Sequence, residues 1–190
     1  GFINDIGFET YQKILNEAIE ELKTEKFQDL FEDEKKEFYV KDCQLDTDLE
    51  ILIPDNYVSN ISERLNLYKE LNNFTKEEEI TSFIKRLNDR FSTVPEAIYN
   101  ECDALRLRWV AKQIGFERII LKNNMMRAYF PAHADSPYYS SESFKQTLDY
   151  LKNHFGTCEM IENKGKLSMK INNINNIKVA LSICKEIRKS

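Results

Sequence analysis

Glycine is scarce in this chain, with five residues in 190, and proline is scarcer still, with four. That shortage excludes a low-complexity or collagen-like chain. It also removes the usual means of bringing backbone amides against a phosphate: no Gly-rich run precedes a Lys and a Ser or Thr, so nucleotide hydrolysis is not expected of these residues. Long apolar runs are missing as well. None approaches the ~18 residues of a membrane span, and the N-terminus has no basic stretch followed by a secretory apolar core. The expected setting is therefore cytoplasmic, with no membrane partner. The two histidines, His133 and His154, stand far apart and outside any HExxH spacing, which leaves them as loop or surface residues and not metal ligands.

Catalytic signatures are equally thin. Ser140, Ser141 and Ser143 lack a Gly-x-Ser-x-Gly elbow and suit helix capping at least as well as nucleophilic catalysis. Cys43, Cys102, Cys158 and Cys184 are dispersed among apolar positions, without the close pairs of a zinc or redox site, and read as buried free thiols. The net charge of −5 gives a far field that repels phosphate, against a nucleic-acid module, although a local basic patch stays open. Asp46, Asp48 and Glu50 share one strand face, either as an exposed polar edge or as a cation site. No cofactor and no metal are expected in this segment.

What the chain does have is an ordinary globular composition, 42% hydrophobic and 31% charged, at a length that supports a true core. Over residues 1–22, Tyr11, Leu15, Ala18 and Leu22 form a helical stripe widened by Phe8, Ile14 and Ile19, and its apolar face needs a partner. The start at Gly1-Phe2-Ile3, without Met, suggests a piece of something longer. Residues 23–37 are dominated by charge and read as a linker, so the expected domain is 38–190.

That domain opens with two-residue alternation at Leu45, Thr47, Leu49, Ile51 and Ile53, a half-buried strand ended by Pro54. Helices are predicted from Ser62 to Asn73, from a Thr75–Glu78 capping box through Ile80, Phe83, Ile84, Leu87 and Phe91, and from Pro95 to a stop at Gly115. Two hairpins follow, one turning at Asn123-Asn124 and one at Lys164-Gly165. Each leads to a helix, the first carrying Phe144, Leu148, Leu151 and Phe155 and stopping at Gly156. The second is capped by Asn173 or Asn175. The predicted class is α+β: an antiparallel sheet built from hairpins and an extra N-terminal strand, covered by helices, with a detached N-terminal helix.

One ordered set of motifs carries a family resemblance over residues 1–116. It runs through Gly1-Phe2-Ile3, Ile6-Gly7-Phe8, Tyr11, Leu15 and Ala18, then Ile53-Pro54-Asp55-Asn56-Tyr57, then Arg64-Leu65 with Tyr68-Lys69. It continues through Arg86-Leu87-Asn88-Asp89-Arg90-Phe91, Pro95, and Ala104-Leu105-Arg106-Leu107-Arg108 with Ala111-Lys112. The set resembles the C-terminal end of bacterial transcription-repair coupling factors, with the tail of the preceding translocase module. The resemblance implies a parent that is an ATP-driven translocase on double-stranded DNA, using ATP and Mg, that displaces RNA polymerase and recruits UvrA. It further implies that this domain packs on the parent's UvrB-like domain and covers the UvrA-binding surface in the resting state, without catalysis of its own. Within it, Asp89 and Arg90 match the family's Asp-Arg-Phe motif. The chain departs from the family pattern at Arg86, where Glu is common, and at Ser92, where Gly is favoured.

The helical stripe leaves Lys85, Arg86, Asp89 and Arg90 on or near the outer surface, and these four are the candidate protein interface. The structural alternative is that Asp89 and Arg90 pair within the domain. A second functional reading is a nucleic-acid module built on Arg106, Arg108, Lys112 and Arg118, with Trp109 or Tyr129 stacking on bases. A third, a small-molecule enzyme, requires a polar-lined pocket. The Ile53–Tyr57 motif reads as strand termination, since Pro54 cannot donate to a ladder and Asp55-Asn56 favour a turn.

Overall fold

A computed structural model of the chain describes residues 39–189. The predicted helix at 1–22, the linker at 23–37 and the first residue of the expected domain lie outside the described residues. Within them run β1 (Gln44–Thr47), α1 (Ile61–Asn73), α2 (Glu77–Arg90), α3 (Glu96–Ile114), β2 (Arg118–Lys122) and β3 (Met125–Tyr129). There follow a 3-10 turn (Pro137–Ser140), α4 (Glu142–Asn153), β4 (Cys158–Asn163), β5 (Lys166–Asn172) and α5 (Ile177–Lys189). The α+β class, the two hairpins and the extra strand are all present.

The sheet order is β1-β2-β3-β5-β4. Both hairpins close through left-handed pairs, Asn123 (φ 54°) with Asn124 (φ 58°) and Lys164 (φ 51°) with Gly165 (φ 78°), the backbone that matches strand twist in a two-residue turn. β3 then pairs with β5, antiparallel like the hairpins, while β1 adds to the edge parallel to β2. The alternation at 45–53 forms a strand only as far as Thr47. There β2 runs out at the Asn123 turn, and Thr47 Oγ1 both donates to Leu121 O (2.8 Å) and accepts from Leu49 N (3.0 Å), turning the chain away. Leu49 and Ile51 still pack on the core without a ladder.

Two hydrophobic cores result. The larger lies between one sheet face (Ile119, Leu121, Met126, Ala128, Met160, Met169, Ile171) and α3, α4 and α5. The smaller joins α1, α2 and the first half of α3 through Leu67, Leu71, Ile80, Phe83, Leu87 and Ile98. α3 serves both, with Ile98, Cys102 and Leu105 in one and Leu107, Ala111 and Ile114 in the other, as expected of a helix that is apolar on more than one side. It stops at Gly115 (φ 105°), where a Cβ would run into the Tyr138 ring.

Some local expectations shift. The cap of α2 uses Glu79 and not Glu78: its Oε1 accepts from the backbone of Thr75 (3.0 Å) and Lys76 (3.1 Å), because the helix begins one residue later than predicted. α4 ends at Asn153, so Phe155 is exposed and Gly156 is not its stop. Asn176, not Asn173 or Asn175, caps α5 by accepting from Val179 N at 2.8 Å. Ser141 caps α4, accepting from Phe144 N at 3.2 Å, which gives the serine cluster its structural use.

Candidate protein-docking site

α2 is positioned before any interface is considered. Its apolar stripe sinks Ile80, Phe83 and Leu87 into the smaller core, and its two ends are fastened by polar groups. At the start, Arg106 on α3 binds Glu77, with Nε at 3.0 Å from Oε2, and also reaches Asp103 at 2.8 Å. That hydrogen bond holds the Glu77 carboxyl below its ordinary range, and the same pair raises the Arg106 guanidinium above its own. At the end, the Tyr57 hydroxyl lies 3.1 Å from Leu87 O and 2.9 Å from Ser92 O. Burial pushes the Tyr57 phenol above its usual pKa, with a further rise from Tyr99.

The Ile53–Tyr57 motif does not end a strand as expected, because β1 has already stopped at Thr47. Pro54 O accepts from Tyr57 N and Val58 N, both at 3.1 Å, which makes the turn. Arg64 on α1 donates to Val58 O at 2.7 Å, and Ile53 N donates to the Tyr68 hydroxyl at 2.6 Å. Tyr57, Arg64 and Tyr68 stitch the 53–59 loop to α1 and α2. Sequence reasoning named these residues without their roles, because each contact spans at least one loop.

On this frame Lys85, Arg86, Asp89 and Arg90 are all exposed. Arg86 pairs with Glu70 and Arg90 with Glu63, both across to α1. Arg86 also lies over the Phe83 ring (5.8 Å) and Arg90 over Phe91 (5.0 Å). The alternative, that Asp89 and Arg90 pair within the domain, holds for Arg90 alone, whose partner is Glu63 and not Asp89. Among the described residues Asp89 has no ion-pair partner. Arg86 and Arg90 overhang a cleft of about 640 Å³ lined by Asn66, Leu67, Glu63 and Glu70. They share with Asp89 a smaller hollow of about 320 Å³ floored by Leu67, Phe83, Leu87 and Phe91. Such exposed pairs stabilise the fold by only ~0.2–1 kcal/mol each, so they yield readily to a competing partner. At Ser92 the helix end closes in near-extended backbone (φ 159°), after Phe91 N has bonded Leu87 O.

The alternative nucleic-acid set is differently disposed. Arg106 is committed to Glu77 and Asp103, Arg108 to Asp42 (2.6 Å) and Cys43 O (3.1 Å), and Arg118 to Asp46 (2.8 Å). Lys112 is half-buried on α3, and Trp109 packs against the smaller core. Tyr129 lies on the sheet under Arg127 and directly across from Arg118, apart from Arg106, Arg108 and Lys112 on α3. These groups do not converge on one basic surface. Asp46 and Asp48 spend their carboxylates on Arg118 and on Asn123 N (3.0 Å), and no metal-holding group of three occurs among the described residues. All four cysteines are free and buried; burial pushes Cys43 and Cys158 up to about 12, Cys102 up to about 11, and Cys184 higher than its usual range. No helix among the described residues is long and apolar enough to cross a membrane.

Comparison with known proteins agrees with this architecture. The family model of the TRCF domain matches residues 47–141, half of the chain. The transcription-repair-coupling factor of Buchnera aphidicola is 33% identical over 125 residues, covering 66% of this chain and 15% of that protein. That of Rickettsia conorii is 28% identical over 138 residues, 71% of this chain and 11% of the relative. That of Bacillus subtilis is 27% identical over 161 residues, 82% and 12% respectively. The chain therefore spans only a small share of these relatives. A crystal structure of the C-terminal domain of transcription-repair coupling factor superposes with a TM-score of 0.59 at 16% identity, over 78% of this chain and 92% of that one, a likeness of fold.

Proposed function

The chain belongs to the TRCF domain family, and from that premise we propose that it is a non-catalytic regulatory domain that docks, through the outer face of α2, on the UvrB-like domain of its parent protein. Docked there, it masks the surface that UvrA would use in the resting state. The parent supplies ATP hydrolysis with Mg and the contacts with double-stranded DNA and RNA polymerase; this segment supplies the clamp.

The observation that carries the reading is the state of Asp89. It is exposed on a helix whose two ends are tied down, beside two arginines held by weak, exchangeable pairs and above an apolar hollow. A fixed frame, a charge without an ion-pair partner and a small apolar recess together suit a reversible protein contact, in which rim charges set orientation and association rate. Arg86, held by Glu70, presents little free charge, so its departure from the family's Glu is partly neutralised within the domain.

Titration calorimetry of the 190-residue chain against the UvrB-like domain tests this. Binding is expected, and the charge swap Asp89→Arg with Arg90→Asp is expected to weaken it more than about tenfold, or ~1.4 kcal/mol, with the fold intact by circular dichroism. Undiminished binding by the swapped variant refutes the assigned face.

A further inference from the structure

The sheet has a second face, turned away from α3, α4 and α5. None of its apolar members, Ile120, Met125, Tyr129 and Ile161, belongs to either core. Register places on it, strand by strand from β1 to β4, the row Asp46, Ile120, Arg127, Lys170, Glu159 and the row Gln44, Arg118, Tyr129, Ser168, Ile161. Lys122 and Lys166 stand exposed at its margins. In a chain of net charge −5 this one face carries five cations, Arg118, Lys122, Arg127, Lys166 and Lys170, against the carboxylates Asp46 and Glu159, with Asp48 at the margin accepting a hydrogen bond from Asn123 N.

Arg127 lies at its centre and is half-buried. Its Nε donates to Ser168 Oγ at 3.0 Å and its guanidinium lies 5.7 Å from the Tyr129 ring centre, so the side chain is held in place. Among the described residues no carboxylate pairs with it, whereas Arg118 and Lys170 beside it have Asp46 and Glu159. Its directly opposed cross-strand neighbour is Lys170, a like charge, an arrangement that costs stability in an antiparallel pair. A fixed cation with no carboxylate partner among the described residues, next to another cation and among half-buried apolar groups, has the chemistry of a receptor for a carboxylate.

We propose that this sheet face docks an acidic polypeptide segment, with a carboxylate seated on Arg127 and apolar side chains laid against Ile120, Met125 and Ile161. A polypeptide fits better than a nucleic acid for two reasons. Asp46 and Glu159 flank the central row and would oppose a continuous phosphate backbone. Tyr129 is the sole aromatic among the residues of that face, where a base-stacking platform uses several. The site uses none of the elements of the α2 face and stands independently of it.

The test is fluorescence anisotropy of the 190-residue chain with a fluorescein-labelled peptide of repeating Glu-Glu-Leu units, and with a single-stranded thymidine oligonucleotide of equal charge. Saturable peptide binding that weakens as salt rises is expected, at least tenfold tighter than oligonucleotide binding. Arg127→Glu is expected to lower peptide affinity at least tenfold, while Lys145→Glu, the same change of net charge on exposed α4, leaves it within twofold. Should Arg127→Glu unfold the domain, the exposed pair Lys122→Glu with Lys166→Glu gives the same readout. Absence of saturable peptide binding, equal losses in the face and α4 variants, or tighter oligonucleotide binding each overturns the proposal.

Discussion

Replacing Tyr57 by Phe removes one hydroxyl and leaves the ring that packs on Phe91 at 5.6 Å. That hydroxyl has Leu87 O at 3.1 Å and Ser92 O at 2.9 Å as acceptors, so a single donor joins the 53–59 loop to the last turn of α2. A neutral hydrogen bond of this kind contributes ~0.5–1.5 kcal/mol net. Both carbonyls belong to a partly exposed helix end where water replaces the lost donor, so the lower half of that range applies, about 0.5–1 kcal/mol. For a domain of this size ~1 kcal/mol corresponds to roughly 2–4 °C in Tm, and a fall of about 1–4 °C is expected by calorimetry. Amide exchange should quicken at the C-terminal turn of α2 and not at its start, which Arg106 and Glu77 hold separately. If the proposed docking holds, it should weaken less than in the Asp89 and Arg90 swap, because Tyr57 fixes the end of α2 without lying on the proposed contact face. Unchanged Tm with docking lost would refute the reasoning, since Tyr57 would then be a contact residue.

Two further outcomes follow from buried groups. Glu101 on α3 has its pKa pushed up from 4.5 to about 7 by burial, only partly countered by Arg108, and its Oε2 has no hydrogen-bond partner among the described residues. Because the folded-state value is raised, its contribution to stability is fully present below pH 4.5 and is lost as pH rises to about 7. Glu101→Gln should therefore be more stable than the parent at pH 8, and the difference should shrink toward pH 4.5 in urea melts; a pH-independent difference contradicts the buried carboxyl. Gly115→Ala should lose ~1–2 kcal/mol from the left-handed backbone alone, and more from the Tyr138 ring, lowering Tm by several degrees; an unchanged Tm contradicts the close approach.

The helical stripe of α2, the Gly115 stop and both hairpin turns were legible because each depends on residues within a few positions of one another. So were the outward positions of Lys85, Arg86, Asp89 and Arg90, which follow from helical periodicity. The parallel pairing of β1 with β2 was not legible, since Gln44 meets Arg118 from the far side of three helices and alternation carries no information on direction. The same holds for the ion pairs. Glu63 and Glu70 look like ordinary surface residues of α1 until the antiparallel packing of α1 on α2 brings Arg90 and Arg86 to them. Arg106 and Arg108 read as a basic patch for the same reason, because their acceptors Glu77 and Asp42 lie on other elements. The end of α4 was misjudged through Phe155 and Gly156, which continue the stripe in sequence while the backbone had already turned at His154.

The most direct measurement of the clamp uses the full-length parent carrying Asp89→Arg with Arg90→Asp, with UvrA capture quantified against the unaltered protein. The proposed function predicts that the altered parent captures UvrA at least about tenfold more strongly, ~1.4 kcal/mol, because the masking contact has been released. Equal capture by the two proteins would contradict it.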